Sequence, residues 1–61
     1  MANLTQKELI AVEDALNYES LLIKKFRSYA STAQDPQIKT TAEQMADRHK
    51  QHYNSLLTYL N

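Results

Sequence analysis

Hydrophobic residues recur at intervals of three and four along most of the chain, the spacing that places them on one face of an α-helix. In the first half these positions run from Leu9 to Ala33, and in the second half from Ile38 to Tyr59. Between the two halves, Pro36 disfavours helix at the residue before it and suits the first turn of a new helix. The pattern therefore predicts two helices, at about residues 6–33 and 36–60, in a single domain spanning residues 1–61.

Both predicted helices begin with residues that are typical of helix N-caps. Thr5 and Glu8 have the spacing of a capping box, in which each side chain accepts a hydrogen bond from the backbone of the other residue. Asp35 stands immediately before Pro36 and predicts the second N-cap. A connection of only two or three residues forces neighbouring helices to run antiparallel. The predicted fold is therefore an all-α antiparallel helical hairpin.

The apolar stripes are wider than two helices can cover by packing against each other. Leu22 and Tyr29 widen the first stripe, and Ala46, Tyr53 and Leu57 widen the second. A chain of 61 residues with no cysteine also has no disulfide to compensate for its small core. We therefore expect two hairpins to associate as a homodimer that forms a four-helix bundle.

Composition narrows the classes of partner. Seven basic and seven acidic residues give zero formal net charge, whereas a nucleic-acid-binding domain carries a positive surface. An RNA-binding helical hairpin, the architecture of plasmid copy-control bundles, is disfavoured by the same balance. The longest apolar run, Leu21–Ile23, is far too short to span a membrane, and the first residues show no secretory signal. We expect no nucleic-acid partner, no membrane association and residence in the cytoplasm.

Three polar residues interrupt the apolar stripes: Glu19 in the first helix, and His49 and His52 in the second. If the hairpin turns near Gln34, residues at the same level have numbers that add up to about 69. Glu19 then faces the point between His49 and His52, which share a helix face because they are three residues apart. The sequence therefore predicts that these three side chains converge in the middle of the hairpin.

Three interpretations of this cluster stay open. One is a buried hydrogen-bonded network that fixes helix register and oligomeric state. Another is a site for a divalent transition metal, because imidazole and carboxylate groups are common metal ligands. The third is a set of partly solvent-exposed side chains with no specific role. A two-fold dimer would gather two glutamates and four histidines, a set compatible with zinc or iron. Glu19, His49 and His52 are thus the candidate metal ligands, and no catalytic residue is predicted.

A carboxylate and histidines inside a four-helix bundle resemble the ferritin-like pattern. The chain is more closely similar to short ferritin-like proteins related to the spore coat protein F family of endospore-forming bacteria. The resemblance covers essentially the whole chain and is carried by Leu4–Leu9, Glu13-Asp14, Leu21–Lys25, Tyr29-Ala30, Asp35-Pro36 and Met45–Tyr53.

The resemblance implies a ferritin-like bundle and a spore-associated role. His49 departs from the ferritin-like pattern, which has a second glutamate at that position. Without this bridging carboxylate, a di-iron oxidase is disfavoured. We therefore expect a non-enzymatic, dimeric protein of the cytoplasm or spore coat, with other coat-type proteins as potential partners. A small ferritin-like metalloprotein with redox or metal-storage activity is the alternative.

Overall fold

The computed structural model describes residues 3–60, which form two antiparallel α-helices joined by a short loop. Helix α1 spans Gln6–Thr32 and helix α2 spans Pro36–Leu57, so the predicted all-α helical hairpin is confirmed. The last turn, Thr58–Leu60, is a 3₁₀ helix rather than the continuation of α2 that the pattern predicts. Such tightening is common at helix ends, where the last carbonyl groups lack α-helical partners. Within residues 3–60, neither helix has a segment long and apolar enough to cross a membrane.

Both N-caps form as predicted. The Thr5 hydroxyl accepts a hydrogen bond from the Glu8 backbone N–H at 3.1 Å, and Glu8 Oε1 accepts one from the Thr5 N–H at 2.9 Å. The hydrogen bond from the Thr5 backbone lowers the pKa of the Glu8 carboxyl, and the Thr5 side chain lowers it further. At the start of α2, Asp35 Oδ1 accepts from the N–H groups of Gln37 at 2.7 Å and Ile38 at 3.2 Å.

The loop is closed by contacts between the end of α1 and the start of α2. The backbone N–H of Ala33 donates to the Tyr29 carbonyl at 2.8 Å and ends the first helix. The Lys39 ammonium group, on α2, donates to the Ala30 carbonyl at 3.0 Å. A positive charge at a helix C-terminus is favourable, and here the neighbouring helix supplies it. The two helices are thereby fixed side by side at this end.

Small side chains form the centre of the contact between the helices. The buried hydrophobic residues are Leu16 and Ala30 in α1 and Ala42 and Ala46 in α2. Alanine allows two helix backbones to approach closely, but it buries little apolar area. Leu9, predicted on the stripe, is 38% exposed in the hairpin. The hairpin alone also leaves large side chains such as Tyr29, Ile38 and Tyr59 exposed.

Candidate metal centre

The structure brings Glu19, His49 and His52 together at mid-hairpin. One potential ligand atom from each residue lies within 4.8 Å of the other two. Glu19 is three turns into α1, and the two histidines are separated by one turn of α2. The antiparallel register set by the short loop, together with the three-residue spacing of the histidines, is what places all three at one level.

The contact between Glu19 and His49 is the shortest in the cluster. Glu19 Oε1 lies 2.5 Å from Nδ1 of His49, and both side chains are largely screened from solvent, at 15% and 16% exposed. A ring nitrogen that carries hydrogen donates to the carboxylate in this geometry. The His49 ring is therefore fixed in orientation by a carboxylate, as histidine ligands commonly are in metal sites.

His52 occupies the open side of the cluster. Its Nδ1 atom is 3.5 Å from Glu19 Oε2, so each carboxylate oxygen has one histidine beside it. The His52 side chain is 52% exposed, and its ring is perpendicular to that of His49, with a centroid separation of 5.4 Å. The cluster thus consists of two screened groups and one group that is accessible to a ligand or to another protein surface.

An aromatic contact that the sequence pattern did not predict supports His49 from the other side. The Phe26 ring stacks on the imidazole with a centroid distance of 5.6 Å and an angle of 6° between the planes. Phe26 in turn makes an edge-to-face contact with Tyr29. Phe26 reads in the sequence as one more residue of the apolar stripe, and no local signal distinguishes it from the other members. Its role here is to hold the imidazole plane in place.

The donor set fits a transition metal after a small rearrangement. Ligand atoms on a zinc ion lie about 2.0–2.2 Å from the metal, and neighbouring ligands in a tetrahedral site are therefore about 3.3–3.6 Å apart. For Glu19 Oε1 and His49 Nδ1 to bind the same ion, their hydrogen bond would have to break and their separation of 2.5 Å would have to widen, while the spread of 4.8 Å over the three residues would have to narrow. Three ligands leave a tetrahedral ion one position short. One chain therefore offers an incomplete coordination sphere.

Comparisons of the chain with protein-family models, with curated proteins and with solved structures found no match. The assignment of a function therefore depends on the residues of the cluster and on the surface around it.

Proposed function

We propose that this chain is a non-enzymatic, metal-binding protein that acts as a homodimeric four-helix bundle. The observation that carries the proposal is the convergence of Glu19, His49 and His52, whose ligand atoms lie within 4.8 Å of one another. The cluster combines the screened Glu19 carboxylate, a screened His49 imidazole that contacts this carboxylate and stacks on Phe26, and the accessible His52 imidazole, a donor set suited to a divalent transition metal such as zinc or iron.

Dimerisation follows from the same surface. The four buried hydrophobic residues of the hairpin include three alanines, which is little apolar burial for a folded chain. A second chain would cover the exposed tyrosines and isoleucine and would bring a second set of donors to the cluster. In such a dimer His52 is no longer open to solvent, which favours a structural metal over the alternative of redox or metal-storage chemistry, where an open coordination position is needed.

The resemblance to the spore coat protein F family is the support for a spore-associated role. On this proposal the bundle resides in the cytoplasm or coat of an endospore-forming bacterium, where other coat-type proteins are its candidate partners. Immunodetection in coat extracts and in the soluble fraction of sporulating cells tests this part separately. Absence of the protein from the coat extract would remove the coat assignment and leave the metal-binding proposal intact.

The metal test uses protein purified without a histidine tag. We expect zinc to bind, and to raise the melting temperature of chelator-treated protein, because a ligand that binds the native state stabilises it by about 2.7 kcal/mol at a hundredfold excess over its Kd. His49→Ala and His52→Ala should abolish the shift. The matched control is Gln51→Ala, which removes an exposed side chain between the two histidines and should retain it. Melting that is indifferent to every divalent transition metal would contradict the proposal.

The same samples separate the metal-binding role from the redox alternative. Ferrous iron added under air should bind without accelerated oxidation, and the wild-type rate should match that of the His49→Ala/His52→Ala variant. Oxidation that is faster in the wild type would identify the chain as a redox metalloprotein instead.

A further inference from the structure

One side of the hairpin forms a continuous surface with the metal-ligand candidates at its middle. We call this surface the open face; its residues are Val12, Ala15, Glu19, Leu22, Phe26 and Tyr29 in α1 and Ile38, Met45, His49, His52, Leu56 and Tyr59 in α2. Towards the loop, Phe26, Tyr29, Ile38 and Met45 line a groove of ≈ 420 Å³. Towards the chain ends, Val12, Ala15, Leu56 and Tyr59 line a second groove of ≈ 400 Å³. Two grooves of similar size therefore flank the polar cluster. Both are mainly apolar, with Asp35, Gln37 and Thr41 also in the lining of the first and Glu8 in that of the second.

The opposite side of the hairpin has a different character. Its groove is lined by Ile23, Tyr53 and five polar or charged side chains: Ser20, Lys24, Arg27, Lys50 and Asn54. Polar and charged side chains are stable in contact with water. Exposed apolar patches on a small protein, in contrast, usually mark an interaction site. Tyr29, Ile38 and Tyr59 on the open face are each more than half exposed, and they line its two grooves. Tyr18, Ile10 and Leu21 are about equally exposed but lie outside these grooves. The open face is therefore the side suited to a partner.

The dimensions of the open face suit a second copy of the chain. The hairpin measures 46 Å by 15 Å across its two longest axes, which gives roughly 700 Å² of face per chain. Two such faces would bury about 1,400 Å², within the range of stable interfaces, about 1,200–2,000 Å². A second copy also supplies the further imidazole and carboxylate ligands that one chain lacks.

The next inference rests on the proposed function. We propose that the second copy covers the open face in an antiparallel orientation, with the two inter-helix loops at opposite ends of the bundle. In this orientation, the Glu19–His49–His52 clusters of both chains meet at the centre and share one metal ion.

The position of the cluster along the hairpin favours this orientation. Glu19 has thirteen residues of α1 on either side, since the helix spans the 27 residues Gln6–Thr32. His49 is one residue from the middle of the segment Pro36–Leu60. If the second hairpin runs in the opposite direction and overlaps the first along its whole length, the two clusters lie at the same level only when each cluster is at the middle of its own hairpin. In the orientation with both loops at one end, clusters at any level would coincide, and a central position would have no consequence.

The sizes of the side chains favour the same orientation. In the antiparallel dimer, α1 residues on opposite chains face each other when their numbers add up to about 38, so Phe26 faces Val12 of the second copy. In α2, Met45 faces Leu56 and Tyr59 faces Ala42. The layers of Phe26 with Val12 and of Tyr59 with Ala42 then combine a large and a small side chain, as well-packed cores do, and Met45 meets a leucine of similar size. With both loops at one end, the two-fold axis would run along the bundle and place α1 against α2 of the second copy. Phe26 and Met45 of both chains would then share one layer and crowd it, while Val12 and Ala15 would leave another underfilled.

The absence of cysteine from the sequence permits a direct test of the orientation. Gln34, in the loop, is exposed and can be replaced in a Gln34→Cys variant that carries a nitroxide label. Pulsed dipolar EPR then measures the distance between the two labels of the dimer, with zinc present. We expect a distance approaching the 46 Å length of the hairpin. With both loops at one end, the labels would be separated by roughly 20 Å, about two helix diameters.

A Gln51→Cys variant is the matched control, because Gln51 is exposed and lies near mid-hairpin, at the same level in both chains for either orientation. A short distance from Gln51→Cys together with a long distance from Gln34→Cys supports the proposal. A short distance from both variants, or a mixture of short and long distances from Gln34→Cys, overturns the orientation. No dipolar coupling from either variant overturns the dimer. In both of these cases the zinc-dependent melting shift still decides the metal-binding proposal separately.

Discussion

His49 and Glu19, thirty residues apart in sequence, are linked by a contact of 2.5 Å between Nδ1 and Oε1. Both side chains are mostly screened from solvent, and the Phe26 ring stacks on the imidazole. A screened carboxylate–imidazole pair seldom stabilises a fold as much as well-packed apolar groups of similar size do. The presence of this pair at the centre of an apolar face is therefore explained by a role in ligand binding or in specifying the helix register.

This reasoning predicts the effect of an apolar replacement. The triple variant Glu19→Leu/His49→Leu/His52→Leu should be more stable than the metal-free wild type by about 1–4 kcal/mol, because the desolvation cost of the polar groups is removed. It should also lose all zinc-dependent stabilisation. Urea denaturation in the presence of a chelator and in the presence of zinc measures both effects.

The single variant His49→Leu is the control for the triple variant. It leaves the screened Glu19 carboxylate with only the His52 contact at 3.5 Å, so its stability should fall below that of the wild type. If His49→Leu and the triple variant were equally stable, loss of the His49 partner would not make the screened Glu19 carboxylate costly to the folded protein.

The sequence predicts the course of the backbone well and the packing less well. The caps at Thr5 and Asp35 are local signals, since each depends on residues within three positions, and both form as predicted. The level of Glu19 relative to His49 was predictable because a short loop leaves little freedom in the register. The stacking of Phe26 on His49 depends on how closely the two helices approach, and that distance is set by alanines far apart in sequence. Periodicity contains no such information.

The Asp35 carboxylate is expected to contribute measurably to the stability of the hairpin. It accepts two backbone hydrogen bonds at the start of α2, from Gln37 and Ile38. Asp35→Ala should lower the free energy of unfolding by about 0.5–2 kcal/mol, whereas Asp35→Asn should retain most of the stability because asparagine caps helices equally well. Urea denaturation followed by circular dichroism compares the three proteins. Equal losses in both variants would show that charge, rather than capping, is the important property.

The capping box at the start of α1 should respond to pH. The hydrogen bonds from Thr5 depress the pKa of Glu8 in the folded chain, so ionised Glu8 favours the folded state at pH values above its unfolded pKa. This contribution should disappear as the pH falls through the lower, folded pKa. The melting temperature of wild type minus that of Glu8→Gln, whose side chain is neutral throughout, should therefore decrease in that window. A difference that is constant across the window would contradict a role for the Glu8 charge.

Ala46 is expected to tolerate no larger side chain, because it is almost completely buried in the hairpin. It is 2% exposed, the lowest value among the buried hydrophobic residues. A leucine at this position would force the helices apart or shift them along their axes, and overpacking of this kind costs about 1–3 kcal/mol. Separation of the helices would also move Glu19 away from His49, so Ala46→Leu should reduce the zinc-dependent melting shift as well as the stability. Gln51→Leu, an exposed position on the same helix, is the control and should change neither property. If Ala46→Leu were as stable as the wild type and bound zinc normally, the close approach of the helices would not be what positions the cluster.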